Sequence, residues 1–356
     1  MQQRGQGPRL YLKIRDLNST PLVPETIKQI RRTTMRSQVR QTCRLLFLLS
    51  FFFFALSSQQ LPMTLHAHQG VGTKSRSETS QYAPPKVIGT IQNESIDESS
   101  GLVASRTTFG VYWTHNDSGD GPFLYAIRTD GELVSVWRVT GAQAIDWEDI
   151  SIGPGPIRGK SYLYIGDIGD NSSARKEIVV YRVLEPKLTL ADQASSKSKP
   201  RISASAEAIR LRYPDGKHDA EALLVDPKSG NIYIVTKVAL QNPTIYEAVA
   251  DKSSAQPITM KSLGELKVPS LFGGIITGGS VSPDGKRIAL CDYFQGYEAV
   301  LPANSSNFED IWKQRLVSFD FGKRKQGESV AYRLDGLALL GTSEGRDSPL
   351  IEVVRK

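Results

Sequence analysis

The sequence predicts an all-β protein, a five-bladed β-propeller closed by its own N-terminal strand, and three observations predict it. A strand–turn–strand unit recurs five times along the last three quarters of the chain. The units open at Ser100-Gly-Leu, Glu148-Asp-Ile, Glu221-Ala-Leu, Ser280-Val-Ser-Pro and Glu328-Ser-Val, with intervals of 48, 73, 59 and 48 residues. The clearest copies are HDAEALLVDPKSGNIYIVTK (218–237), GGSVSPDGKRIALCDY (278–293) and QGESVAYRLDGLALLGTSE (326–344). In each, an apolar strand meets a turn rich in Asp, Gly and Pro and is answered by a second apolar strand. Repeats of this length, built only of strands, fit blades around an axis.

Residues 1–58 read as an N-terminal extension and secretory signal. Leu45–Leu56 (LLFLLSFFFFAL) is an apolar run behind Arg36, Arg40 and Arg44, too short to span a bilayer comfortably, with Ala55-Leu56-Ser57 as the cleavage site. Met35 opens a signal of ordinary length and Met1 an oddly long one, so translation is expected to begin at Met35. A retained N-terminal anchor is the alternative, and nothing else in the chain has the length or apolarity to cross a membrane. The expected location is secreted or periplasmic. Residues 59–85, rich in Ser, Gln, Thr and Lys, read as a disordered linker, and 86–356 as the propeller domain.

The net charge of +7 comes from the leader. Residues 1–44 hold ten Lys and Arg against Asp16 and Glu25, which leaves 34 basic and 35 acidic residues elsewhere. No basic field for nucleic acid survives. Cys43 falls in the signal, so Cys291 stands alone in the mature chain as a buried packing residue, and a monomer has no disulfide.

Within the domain, each unit divides into strands A to D. The unit at Ser100 contains LVAS, FGVYWTH, FLYAIR and LVSVWRVT. That at Glu148 contains ISIG, SYLYIGD, EIVVYRV and AEAIRLRY, with Ala191–Pro200 as a surface excursion between C and D. The unit at Glu221 contains ALLVD, NIYIVTK, TIYEAVA and ITMKSLGELKV; that at Ser280, VSPDG, RIALCDY, YEAVLP and RLVSFDFG. The last supplies SVAYR, LALLGTSE and LIEVV and ends one strand short. Val87–Gln92 (VIGTIQ) is expected to fill that place and close the ring without a free edge. A six-bladed wheel is the alternative and needs strands that the sequence does not display.

Strand A is innermost, so the five opening residues, Ser100, Glu148, Glu221, Ser280 and Glu328, are expected to ring one mouth of the axis. Three carboxylates gathered there repel unless protons or a cation intervene. Calcium fits this oxygen set better than zinc, which prefers His and Cys. Glu98, Asp146 and Asp219, each two residues before a ring member, are expected to orient water around the ion. The bland alternative is a wet channel with no ion.

The order Ser-Glu-Glu-Ser-Glu, one residue per blade in Glu-Ser-Ser-Gly-Leu, Asp-Trp-Glu-Asp-Ile, Asp-Ala-Glu-Ala-Leu, Gly-Gly-Ser-Val and Gly-Glu-Ser-Val, resembles the calcium-activated nucleotidase (apyrase) family. That resemblance implies one axial Ca²⁺ on Ser100, Glu148, Glu221, Ser280 and Glu328, and hydrolysis of nucleoside di- and triphosphates. The acidic and Arg-bearing N-terminal nucleotide segment of that family has no counterpart before Val87. The stretch DWEDISIGPG…YLYIGDIGDN is also similar to bacterial secreted propellers of phytase-like or esterase-like type.

The B strands end at the same mouth and bring polar loops with them. His115, Asp117, Asp167 and Asp170 are the catalytic candidates, with His218 as a second histidine base. Asn116, Asn171, Arg175, Lys237, Asp292, Tyr293 and Glu344 form the expected substrate rim, Arg175 as an anion clamp. Turn formation alone also accounts for HNDSGDG and GDIGDN. Asp226, Asp284 and Asp335 fall in the A–B turns at the far face and read as structural. Three functions remain open. One is a calcium-dependent hydrolase of phosphate anhydrides or esters, and another is a non-catalytic propeller gripping an extracellular glycan or protein. The third is an esterase or lactonase. The chain is expected to act as a monomer, without nucleic acid.

Overall fold

The computed structural model describes residues 81–249, 256–270 and 273–356. The leader and most of the linker therefore lie outside the described residues, as does the signal expected there. Among the described residues no helix is long and apolar enough to cross a membrane.

The structure is a five-bladed β-propeller. Its innermost strands are Ser99–Ala104, Trp147–Gly153, Ala220–Val225, Gly278–Val281 and Ala331–Tyr332, in blades 1 to 5. Each neighbours the next around the axis, and the last returns to the first. Blade 5 takes its outermost strand from the start of the domain. Lys86–Ile91 pairs antiparallel with Ser348–Val354, from Lys86 opposite Glu352 to Ile91 opposite Ser348. This is the closure expected of Val87–Gln92. Packing against the propeller includes Tyr82, which is buried, bridges to Arg355 and packs on Phe319 at 4.6 Å between ring centroids.

The core is divided among the seams between blades. Val103, Trp113 and Trp137 of blade 1 pack on Trp147, Ile150 and Ile165 of blade 2. Further clusters fill the other four seams, ending with Leu102, Tyr125 and Ile127 of blade 1 against Ala331, Leu340 and Leu350 of blade 5. Strand alternation explains this: successive residues point to opposite faces, and each blade has a neighbour on both. Inner strands with blades on either side are accordingly buried almost throughout, their Ser, Glu and Asp residues included.

Three of the C–D connections do more than expected. The excursion from blade 2 contains a 3-10 turn, Leu190–Ala194, and leads into Arg201–Ser205, which pairs parallel with Leu133–Thr140 and gives blade 1 a fifth strand. The stretch read as one D strand in blade 3 splits. Ile258–Thr259 pairs with Glu207–Arg212 of blade 2, and Lys261–Glu265 closes its own blade. In blade 4 the corresponding connection forms Phe308–Lys313, whose Phe308 and Trp312 stack near Tyr233 of blade 3. All three connections pack back on the preceding blade, and the first two cover a sheet edge that would otherwise be open.

Candidate metal centre

The loops that enter strand A and leave strand B meet at one mouth of the axis. There Asp117 from the loop after Val111–Asn116, Asp146 from the loop before Trp147–Gly153, and Glu148 within that strand bring carboxylate oxygens within 4.8 Å of one another. Two oxygens on opposite sides of one calcium stand roughly 4.6–5.2 Å apart, so this spacing matches a shared calcium sphere. Gly169 forms the floor. A Cβ there would overlap the Glu148 and Asp146 carboxylates, so a larger residue would push both aside from the GDIGDN loop beneath them.

The electrostatics are those of an unbalanced site. Burial, with the charges of Asp117 and Asp219 beside it, pushes the Asp146 carboxyl up to about 6. Burial does the same to Glu148, helped by Glu221, Asp117 and Asp146, and raises it well above the usual carboxylate range. Glu328 is raised by burial and by Glu221 and Glu344. A cation relieves all of these at once.

Lys237 already supplies one positive charge. Its ammonium bonds Glu221 and lies 5.2 Å from the centroid of the Tyr293 ring. Glu221 and Glu328 draw its proton affinity upward against the opposing effect of burial. Burial pushes the Glu221 carboxyl up to about 7, with Lys237 pulling it back, and its Oε2 is buried without a hydrogen-bond partner.

The five opening residues are not equivalent around this mouth. The Ser100 hydroxyl donates to the Glu148 carbonyl at 2.6 Å, and the Ser280 hydroxyl accepts from the Tyr332 N–H at 3.1 Å. Both serines therefore stitch one blade to the next. Glu328 accepts from the Gln326 side chain at 2.8 Å. Glu148 alone joins the three-carboxylate group. Asp146 is a member of that group rather than an outer partner, and Asp219 accepts from the Asp170 N–H at 2.7 Å.

Of the catalytic candidates, only Asp117 stands at this centre. His115 is fully buried inside blade 1, edge-on to Trp147 at 5.6 Å, with Nδ1 2.9 Å from the Asn116 carbonyl. Burial lowers its pKa to about 4, so it stays neutral and away from solvent. The reading of His115 as a rim base fails because strand B is enclosed by blades on both sides. Asp167 is an ion-pair partner of Arg175 at 2.8 Å and accepts from the Ile145 and Asp146 N–H groups. Asp170 accepts from the Ala174 and Arg175 N–H groups, both at 2.8 Å. These two aspartates hold the loop, and Arg175 is occupied as their clamp. His218 turns to Asp215 at 3.0 Å and to Tyr246 at 3.1 Å.

Among the rim residues, Asn116 is buried and ties the loop through the Ser95 carbonyl and the Glu98 N–H. Asn171 is exposed on its turn. Asp292 accepts from Phe294 and Gln295 N–H groups, and Tyr293 lies under Lys237. Glu344 adds its charge beside Glu328.

One residue near the axis escaped sequence reasoning. Asp149 is fully buried and accepts N–H bonds from Ile150 at 2.8 Å, Leu223 at 2.9 Å and Gly279 at 3.0 Å, joining blades 2, 3 and 4. A second acidic residue directly after Glu148, in a strand that runs on into Ile150-Ser-Ile152, was the signal.

No protein family matches this sequence, and no curated protein matches it.

Proposed function

We propose that this protein is an extracytoplasmic calcium-binding propeller, in which Asp117, Asp146 and Glu148 hold the ion off the axis and the mouth around it binds a ligand without catalysis. The observation that carries the reading is the convergence of three carboxylates from two blades within 4.8 Å, with Gly169 packed close against two of them. Supporting the non-catalytic part, His115 is sealed in a blade, and Asp167 and Asp170 are spent on their own loop. The apolar run at 45–56 supports export. An extracellular glycan or protein bearing acceptor oxygens, such as sugar hydroxyls or a carboxylate, is the ligand class that open positions on calcium take.

A second reading, a calcium-dependent hydrolase of phosphate anhydrides or esters, is favoured by one feature. The Glu221 Oε2 atom, buried and unpartnered beside the carboxylate group, is available to accept a proton from an attacking water. Purified protein assayed against nucleotides, phytate and aryl esters, in calcium and in chelator, separates the two. The proposal expects no chelator-sensitive turnover on any of them. Chelator-sensitive turnover that Glu221→Gln abolishes, with calcium binding retained, overturns it in favour of the hydrolase.

A further inference from the structure

We propose that the far face of the propeller, opposite the carboxylate mouth, docks on an anionic lipid bilayer. The proposal stands on the shape and charge of the A–B turns and is independent of the calcium reading. Those turns form one rim. Arg106 of blade 1 donates to the Ile152 carbonyl of blade 2 at 3.4 Å, and Arg287 of blade 4 to the Gly336 carbonyl of blade 5 at 3.0 Å. Between them Gly230 of blade 3 lies against Pro154 of blade 2, and Gly285 of blade 4 against Pro227 of blade 3. Three of the turns carry a bulky apolar side chain into solvent: Phe109 is 88% exposed, Leu337 54% and Ile157 53%. All three are held by hydrogen bonds. The Ser105 hydroxyl accepts from the Thr108 N–H at 2.9 Å and donates to Glu185 at 2.7 Å, which fixes the turn of Phe109. The Ile157 N–H donates to the Tyr162 hydroxyl at 3.3 Å, and the Leu337 N–H to Asp335 at 2.9 Å. A single exposed apolar residue is ordinary on a protein surface, but three fixed on one rim suit the boundary between headgroups and acyl chains.

The charge of the rim points the same way. The turns at 105–110, 154–161, 226–231, 282–287 and 333–337 hold seven Lys and Arg against three Asp. The aspartates are bonded within their own turns: Asp284, for one, accepts from the Ser282 hydroxyl at 2.5 Å and the Lys286 N–H at 3.0 Å. Arg158, Lys160, Lys228 and Lys286 are exposed and form no ion pair with another described residue. The mouth gathers carboxylates instead, so an anionic bilayer attracts one end of the axis and not the other. The chain also joins the propeller on the basic side. The Lys356 N–H donates to the Gln81 carbonyl at 2.9 Å, next to the Arg355 N–H that donates to the Leu337 carbonyl at 2.8 Å. The segment carrying the apolar run Leu45–Leu56 is thus attached at this face. An acidic protein would also meet these cations. Lipid fits better because the apolar side chains sit on three separate turns among the basic ones, the mixture that sinks among headgroups. Docked in this way, the propeller turns its mouth to the aqueous phase.

The test is hydrogen–deuterium exchange of the full chain, free and with vesicles of mixed phosphatidylglycerol and phosphatidylcholine, in chelator so that calcium plays no part. Exchange in the turns of Phe109, Ile157 and Leu337 is expected to slow by about fivefold or more, with the mouth loop after Val111–Asn116 unchanged. Reading the turns themselves separates this contact from attachment through residues 45–56. Vesicles of phosphatidylcholine alone should give no such protection. A variant carrying Arg158→Glu, Lys160→Glu, Lys228→Glu and Lys286→Glu should lose it on anionic vesicles. Turns left unprotected by anionic vesicles, whether or not the protein binds them, overturn the proposal. So does equal protection on phosphatidylcholine alone, or protection that survives the four reversals. Polyglutamate that protects the turns where vesicles do not overturns it in favour of an acidic protein partner. The lipid comparison needs only wild-type protein and decides the matter even if the fourfold variant does not fold.

Discussion

The two ends of the propeller axis use the same residue type in opposite ways. At the far face each turn aspartate is saturated by its own turn. Asp226 accepts from the Lys228 and Ser229 N–H groups and the Ser229 hydroxyl, and Asp335 from the Leu337 N–H and the Arg333 guanidinium. Arg333 holds the Asp335 carboxyl below its usual range. At the mouth, Asp146, Glu148 and Glu328 are pushed the other way by burial and by one another. A carboxylate satisfied by its neighbours builds the fold, and one that its neighbours destabilise is where a cation or a proton would stabilise it.

Asp149 stands between the two: burial pushes its carboxyl well above the usual range, as at the mouth, yet it is bonded by three backbone N–H groups, as a far-face aspartate is by its turn. Asp149→Ala strips three backbone N–H groups of their acceptor and should cost about 3 kcal/mol or more in urea denaturation. A loss below 1 kcal/mol would mean that blades 2, 3 and 4 are not joined through it.

Next in size is the calcium effect. With free calcium at about 100 times Kd, binding stabilises by about 2.7 kcal/mol, a rise in Tm of about 5–10 °C. Asp146→Asn and Glu148→Gln should abolish that rise. In chelator, Asp146→Asn should instead stabilise by on the order of 1 kcal/mol at neutral pH, since it removes a charge that the fold opposes. A variant that melts lower in chelator and keeps its calcium response would erase the distinction between the two faces.

The pH dependence carries a definite sign. Carboxyls raised to about 6 at Asp146 and about 7 at Glu221 bind more protons folded than unfolded. In chelator their contribution to stability is therefore lost as pH rises from about 4 to 7. His115, lowered from 6.5 to about 4, contributes with the opposite slope over that range, because the unfolded state takes up its proton first. His115 contributes equally with and without calcium, so the informative quantity is the calcium-induced rise in Tm. It should shrink as pH falls below 6, as protons compete with the ion, and a rise constant from pH 5 to 8 would count against these ligands. The smallest effect belongs to the far face: Asp335→Ala should cost about 0.5 kcal/mol and leave the calcium response unchanged.

Much of this architecture was legible in the sequence. The inner strands announce themselves as apolar runs opened by Ser or Glu, and Lys86–Ile91 could be matched to the missing strand because blade 5 ends short. Cys291 was readable as core, and it is fully buried. What the repeat does not encode is contact sideways. The fifth strands of blades 1 and 2 come from connections whose partners lie in another repeat, so no period betrays them. The centre has the same origin: Asp117 meets Asp146 and Glu148 across the seam between two blades, while Ser100 and Ser280 also bond backbone of the neighbouring blade. Lys237 reads in the sequence as one rim residue among several, and only the fold brings its ammonium onto Glu221 and over Tyr293.

The most direct measurement is an isothermal calcium titration of the full chain in chelator-stripped buffer, repeated on Asp146→Asn. The account predicts a saturable heat for one ion per chain in the wild type and none in the variant. No saturable heat in the wild type, or the same isotherm from both proteins, would contradict it.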